Sequence, residues 1–158
     1  MKIETYLTRQ INYNTFSFYS IGPNGRIELR IIFSKDDREE RANLYNLAFG
    51  EWNEVLNDID DTAQTRNGDM DQILSTVAHA ALSFMKSHPK SLLYTQGSNS
   101  IRTRKYQMGI SKYINEIPPN LGILGLSYRS SKDGNTNSWE WEYFRIGNNY
   151  HAFLLYSK

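Results

Sequence analysis

The chain contains no cysteine. Disulfides and thiolate metal sites are therefore excluded, and with them the usual frameworks of small secreted domains. Proline is scarce, with four residues in 158, so long ordered elements are interrupted at few places. No apolar run approaches the roughly 18 residues needed to span a membrane. The first residues lack the continuous apolar stretch of a signal peptide, so the expectation is a soluble cytoplasmic protein. An excess of one charge is absent as well. Eighteen Lys and Arg nearly balance seventeen Asp and Glu, for a formal charge of +1, which argues against a surface that binds nucleic acid in bulk. Any basic surface must be local.

What the chain does have is aromatic side chains, chiefly eleven tyrosines. Tyrosine suits half-buried strands and binding surfaces alike. A length of 158 residues fits one domain with a sizeable core. Two alternating runs, Thr15–Ile21 and Arg26–Phe33, flank Gly22-Pro23-Asn24-Gly25. Asn-Gly between period-2 runs is a strong hairpin signal. Asn43–Gly50 reads as a third strand, and Glu51–Gly68 as a long polar loop. Met70, Ile73, Leu74, Val77, Ala78, Ala81, Phe84 and Met85 recur at helical spacing. They predict a core helix from about Met70 to Ser87, capped by Asp69 and stopped by His88-Pro89. A strand at Ser91–Gln96 and a helix from about Asn99 to Asn115 follow. Tyr106, Ile110, Tyr113 and Ile114 form the apolar stripe of that second helix. Leu121–Arg129 reads as a strand with bends at Gly122 and Gly125. Trp139–Ile146 and Tyr150–Tyr156 read as a closing hairpin. The order β-β-β-α-β-α-β-β-β predicts a single α+β domain over residues 1–158. Its sheet should be mixed, mostly antiparallel and packed against two main helices.

The segment closest to chemistry is Gly97-Ser98-Asn99-Ser100-Ile101-Arg102-Thr103-Arg104-Lys105-Tyr106. A strand ends at a Gly-Ser turn and a helix with basic first turns begins. Backbone N–H groups at a helix start lack intrahelical partners and favour anions. Gly97, Ser98, Asn99, Arg102 and Tyr106 are therefore the candidate ligand-binding residues, with Arg102 as a bidentate fork. Arg102 and Tyr106, four apart, share a helix face, whereas Arg104 points roughly the opposite way. The competing reading is a capped helix with a solvated basic side. No P-loop pattern is present.

The other constellations are weaker. Asp58, Asp60 and Asp61 could attract a hard cation, but Ala63 stands where an EF-hand needs Gly, and a solvated loop is the simpler reading. His79, His88 and His151 offer no metal-ligand spacing. No nucleophile elbow and no His-Glu-x-x-His motif occurs. No catalytic residue, metal or cofactor is assigned. In Trp139-Glu140-Trp141-Glu142-Tyr143 the aromatics share one strand face, either as a stacking platform or as the closure of the core under a helix.

Several segments together resemble a family of uncharacterised proteins of about 150 residues, frequent in Bacteroidota-type bacteria. They are Tyr45–Gly50, Asn67-Gly68-Asp69, Gly97-Ser98 with Arg102-Thr103-Arg104-x-Tyr106, and Tyr150–Leu154. That family implies no activity. The order of elements is also similar to the core of the GCN5-related N-acetyltransferases. There an Asn precedes a general-acid Tyr by seven residues, as Asn99 precedes Tyr106 here. This chain departs in having Arg102 at a small-residue position. Its Arg66-Asn67-Gly68-Asp69-Met70-Asp71 also carries one Gly and two carboxylates where a pyrophosphate loop would need more glycine. Three functions follow as expectations. The first is a non-enzymatic binder of an anionic, phosphate-bearing ligand such as a nucleotide or nucleic-acid backbone. The second is a module with a protein partner, as in toxin–antitoxin-like or phage-defence pairs. The third is an acetyl-CoA-dependent enzyme with Tyr106 as acid.

Overall fold

The computed structural model describes residues 4–37, 43–60, 66–97, 99–112, 115, 119–130, 134 and 137–158. They form one mixed sheet and two helices, the α+β arrangement expected from the order of elements. The strands are β1 (Arg9–Asn12), β2 (Thr15–Gly22), β3 (Gly25–Lys35), β4 (Asn43–Asn53), β5 (Asp58–Asp60), β6 (Ser91–Thr95), β7 (Leu121–Ser130), β8 (Asn137–Tyr143) and β9 (Ala152–Ser157). The helices are α1 (Met70–Ser87) and α2 (Ser100–Lys112). Across the sheet the strands run β1-β2-β3-β4-β6-β9-β7-β8, with β5 paired to β4. The β4–β6 pair is parallel and its connection carries α1; the other pairs are antiparallel.

The β2–β3 hairpin closes where the sequence signals it. Gly22 pairs with Gly25, and Gly25 has φ +88°, a conformation that glycine adopts without strain. The core is the layer between α1 and the sheet. Ile73, Val77, Ala81, Phe84 and Met85 of α1 are buried against Phe18, Ile31, Phe33, Leu47 and Leu93. Phe84 stacks on Phe33 at 4.2 Å between ring centroids and on His88 at 4.1 Å. The second helix is held differently. Thr103 is its buried residue, and Gly109 packs against the tip of the Leu74 side chain of α1. The side-chain amide of Gln107 donates to the Asn148 carbonyl and its oxygen accepts from Tyr150 N–H. Tyr113 and Ile114, assigned to the same stripe, lie outside the described residues.

Four expectations are corrected. Glu51–Gly68 is not one long loop: β4 runs on to Asn53 and turns back into β5. Its polarity reflects an edge hairpin with little burial. The last two strands do not pair with each other. β8 pairs with β7, and β9 inserts between β6 and β7. Ala152-Phe153-Leu154-Leu155 is apolar on both faces, which suits a central strand, whereas β8 alternates and takes the edge. Gly122 and Gly125 cause no break, since the pairing of β7 with β9 runs through both without a register shift, and Gly125 also pairs with β8. Each lies under a tyrosine ring, Tyr156 and Tyr150 respectively. Finally, Asp69 sits at the start of α1 but makes no side-chain cap.

Candidate functional site

The β6–α2 junction brings the predicted residues into one place but uses them unequally. Gly97 is buried, and its N–H donates to Thr103 Oγ1 at 3.0 Å. That hydroxyl donates in turn to the Asn99 carbonyl at 3.0 Å. A Cβ at Gly97 would stand 2.4 Å from Thr103 N, so this position requires glycine for close approach of two backbones. Asn99 caps the helix, its Oδ1 accepting from Arg102 N–H at 2.9 Å. The N–H groups of Gly97 and Arg102, on either side of the Ser98–Ser100 donors expected to face an anion, are thus engaged internally. Ser98 lies outside the described residues.

The side chains of Arg102 and Tyr106 do converge. With Leu47, Ala48 and Phe49 of β4 and Thr95 and Gln96 at the end of β6, they line a cleft of about 30 Å³. The Tyr106 ring rests on Phe49 at 4.9 Å. Arg104 and Lys105 are exposed on other parts of α2. A cavity of this size holds one or two waters, far short of the ~300 Å³ of a small-molecule pocket.

A second polar constellation sits at the start of α1. Asp69 Oδ2 accepts from Tyr6 Oη and from Ser20 Oγ, both at 2.5 Å. Asn67 donates to Ser20 Oγ at 3.0 Å and to the Gly25 carbonyl at 3.1 Å, and accepts from Asn24 N–H at 2.8 Å. Asp69 Oδ1 is buried with no partner among the described residues. Burial, and then the bond to the Asp69 carboxylate, push the Tyr6 phenol above its ordinary value. Sequence reasoning missed Tyr6 and Ser20, because 63 and 49 residues separate them from Asp69. The Asn67-Gly68-Asp69 segment therefore ties the start of α1 to β2 and to the β2–β3 turn.

A family model matches residues 2–158 and so spans these segments together with Tyr45–Gly50 and Tyr150–Leu154. The chain belongs to DUF6934, a family of unknown function. No curated protein and no solved structure matches it.

The remaining candidates of this DUF6934 chain serve local structure. Asp58 accepts from Ile59 N–H at 2.7 Å, and Asp61 lies outside the described residues. No group of three or more His, Asp or Glu converges among the described residues. His79 and His88 bond to the Ser75 and Phe84 carbonyls one turn back, and His151 packs edge-on to Trp139. No helix among the described residues is long and apolar enough to cross a membrane. The aromatics of β8 do not close the core: Trp139 is 56% exposed, Trp141 40% and Tyr143 73%. They lie on the sheet face away from α1, because they pair with Leu124, Leu126 and Tyr128, which alternate with the α1-facing Ile123; among the described residues no helix covers them.

Proposed function

We propose that this protein is a non-enzymatic binder of an anionic, phosphate-bearing group, taken up in the cleft between β4, the end of β6 and the start of α2. The observation that carries the reading is the convergence of Arg102 and Tyr106, one helical turn apart, on that cleft. The guanidinium supplies a planar fork matched to phosphate oxygens. The phenol supplies a hydroxyl beside it and an apolar wall against Phe49. First-turn N–H groups of α2 add positive potential. The small cleft admits the charged group and leaves a nucleoside or sugar on the surface.

Calorimetric titration with inorganic phosphate, ADP, a short single-stranded oligonucleotide and acetyl-CoA tests this. Saturable binding is expected for at least one phosphate-bearing probe, weakening with salt. Arg102→Ala should reduce it by about 1.5–3 kcal/mol, the scale of a charge-assisted hydrogen bond. Arg104→Ala should leave it unchanged. Equal effects of the two substitutions, or silence with every probe, would end the proposal. Micromolar acetyl-CoA binding with turnover lost in Tyr106→Phe would replace it with the enzyme reading.

A further inference from the structure

The two margins of the sheet differ. β1 is four residues long, and its pairing slips between Gln10 and Asn12. Short, irregular edge strands resist pairing with other chains. β8 has seven residues, pairs with β7 without a register shift and contains neither Pro nor Lys. Ser138 to Trp141 and Tyr143 are exposed, and no described strand lies beyond them. The direction of the outer backbone groups follows from two hydrogen bonds. The Leu126 carbonyl accepts from His151 N–H at 2.9 Å, just before β9, so Leu126 turns its backbone groups away from β8. The Ile123 carbonyl accepts from Phe144 N–H at 3.1 Å, so Ile123 turns towards it. In an antiparallel pair the two states alternate. Trp139 faces Tyr128, Trp141 faces Leu126 and Tyr143 faces Leu124. All three therefore point N–H and C=O outward, away from β7. The Tyr143 carbonyl accepts from Tyr150 Oη at 3.5 Å, and the other outward groups have no partner among the described residues. The side chains of Glu140 and Glu142 lie on the α1 face of the strand, opposite to the aromatics. Glu142 is fixed there, its Oε1 accepting from Tyr150 Oη at 2.9 Å and from Asn148 Nδ2 at 3.0 Å.

We propose that the outer edge of β8 takes up an extended peptide segment as a further antiparallel strand, one that carries Lys or Arg at the two alternate positions facing Glu140 and Glu142. Geometry and charge together select that occupant. Trp139, Trp141 and Tyr143 turn their backbone groups to the incoming strand and make the hydrogen-bonded pairs. The two glutamates then fall in the non-bonded pairs, where facing Cα atoms approach to about 4.5 Å. Side chains are closest there, so an opposite charge is favoured and a like charge repelled. A second copy of β8 fails this requirement. The fully overlapped self-pairing, centred on Glu140, sets that carboxylate on its own copy. A shift of the centre to Trp141 sets Glu140 on Glu142 twice. A shift to Trp139 takes Glu142 and Tyr143 out of the pairing. An acidic segment is rejected as a copy is. Between the glutamates the incoming residues face aromatic ones, where β-branched or aromatic side chains pair best. The recognised pattern is therefore a strand of alternating basic and β-branched or aromatic residues. Strand addition of this kind draws affinity from the backbone ladder and specificity from alternate side chains. The edge is three strands along from β6 and so is separate from the β4–β6–α2 cleft.

The test uses the intact chain and an end-capped peptide, Ser-Val-Lys-Val-Lys-Val-Ser, followed by calorimetry and indole fluorescence. Saturable binding of one peptide per chain is expected. The counterpart with Glu in place of both Lys should bind about tenfold more weakly or worse, because two facing charges are reversed. Glu140→Lys, at an exposed position, should remove that preference. Two methylated peptides test the backbone ladder without altering the protein. Methylation of the central valine nitrogen removes the N–H that faces Trp141 and should abolish binding. Methylation of a lysine nitrogen, which faces away from β8, should leave it unchanged. Silence at about 1 mM peptide, beyond even weak complexes, would overturn the proposal. So would equal losses from the two methylations, or a charge preference indifferent to Glu140→Lys. Self-association through β8 would overturn it as well, seen as sedimentation at twice the 18.4 kDa chain mass that Trp141→Pro abolishes.

Discussion

One oxygen atom, Oδ2 of Asp69, joins three parts of the chain. It accepts from Tyr6 in the N-terminal segment and from Ser20 in β2, and it belongs to the residue that begins α1. A carboxylate with two hydroxyl donors is well served there, but it depends on both. Tyr6→Phe removes one donor and keeps the ring stacked on Phe18 at 5.8 Å. The expected loss is about 1.5–3 kcal/mol, the range for a hydrogen bond to a charged group. Urea denaturation measures it, and a loss below about 0.5 kcal/mol, the floor for an ordinary hydrogen bond, would show the contact to be idle. The same contact sets a pH dependence. The folded state raises the phenol above 10.0, so it favours the protonated form. Unfolded chains release that proton first. The stabilisation is therefore complete below about pH 10 and is lost as pH climbs through the raised value. Tyr6→Phe should lack this alkaline component, seen as the difference between the two stability–pH curves.

At the scale of elements, α1 is the organising piece. Its stripe meets strands from both sides of the parallel seam, and Phe84 sits at the middle of the contact with Phe33, Tyr45 and His88 around it. Phe84→Ala should cost about 3–5 kcal/mol, because a large buried ring leaves a cavity that a stacked neighbourhood closes poorly. A measured loss under about 1 kcal/mol, the scale of a surface change, would mean that the stripe does not carry the core. This helix was legible in the sequence because five turns of apolar residues agree on one period. The β2–β3 hairpin was legible because its turn needs glycine at a fixed place. The partner of β9 was not, since chain neighbours pair by default and only the doubly apolar Ala152–Leu155 betrays a central strand. The short β5 was hidden by its polarity. Within the site, the shared face of Arg102 and Tyr106 followed from a spacing of four. The loss of the Gly97 N–H to Thr103 did not, because a hydroxyl six residues along competes with any external anion and spacing alone does not disclose it.

At the scale of the molecule, the sheet consists of two antiparallel halves, β1 to β5 and β6 to β9. Among the described residues they meet only where β4 runs parallel to β6, from Asn43 to Asn46 beside Ser91 to Tyr94. Four paired residues are a slender join for nine strands. Side chains supply the rest of the connection. One buried cluster contains Phe18, Leu29 and Ile31 from the first half and Leu93, Leu121 and Leu155 from the second, with α1 across both. Neither half can bury its inner face without the helix, so the halves should unfold together although their backbones barely touch. Native-state hydrogen exchange reads this directly. The slowest amides of β3, near Ile31, and of β9, near Phe153, should report the same opening free energy. Both should also respond equally to denaturant. The three-residue β5 and the four-residue β1, on the margins of the sheet, should exchange through smaller openings. Two separate plateaus for β3 and β9 would mean that the parallel seam is a boundary between independent units. The shared cluster would then be an insufficient coupling, and the single-domain account would fail at its narrowest point.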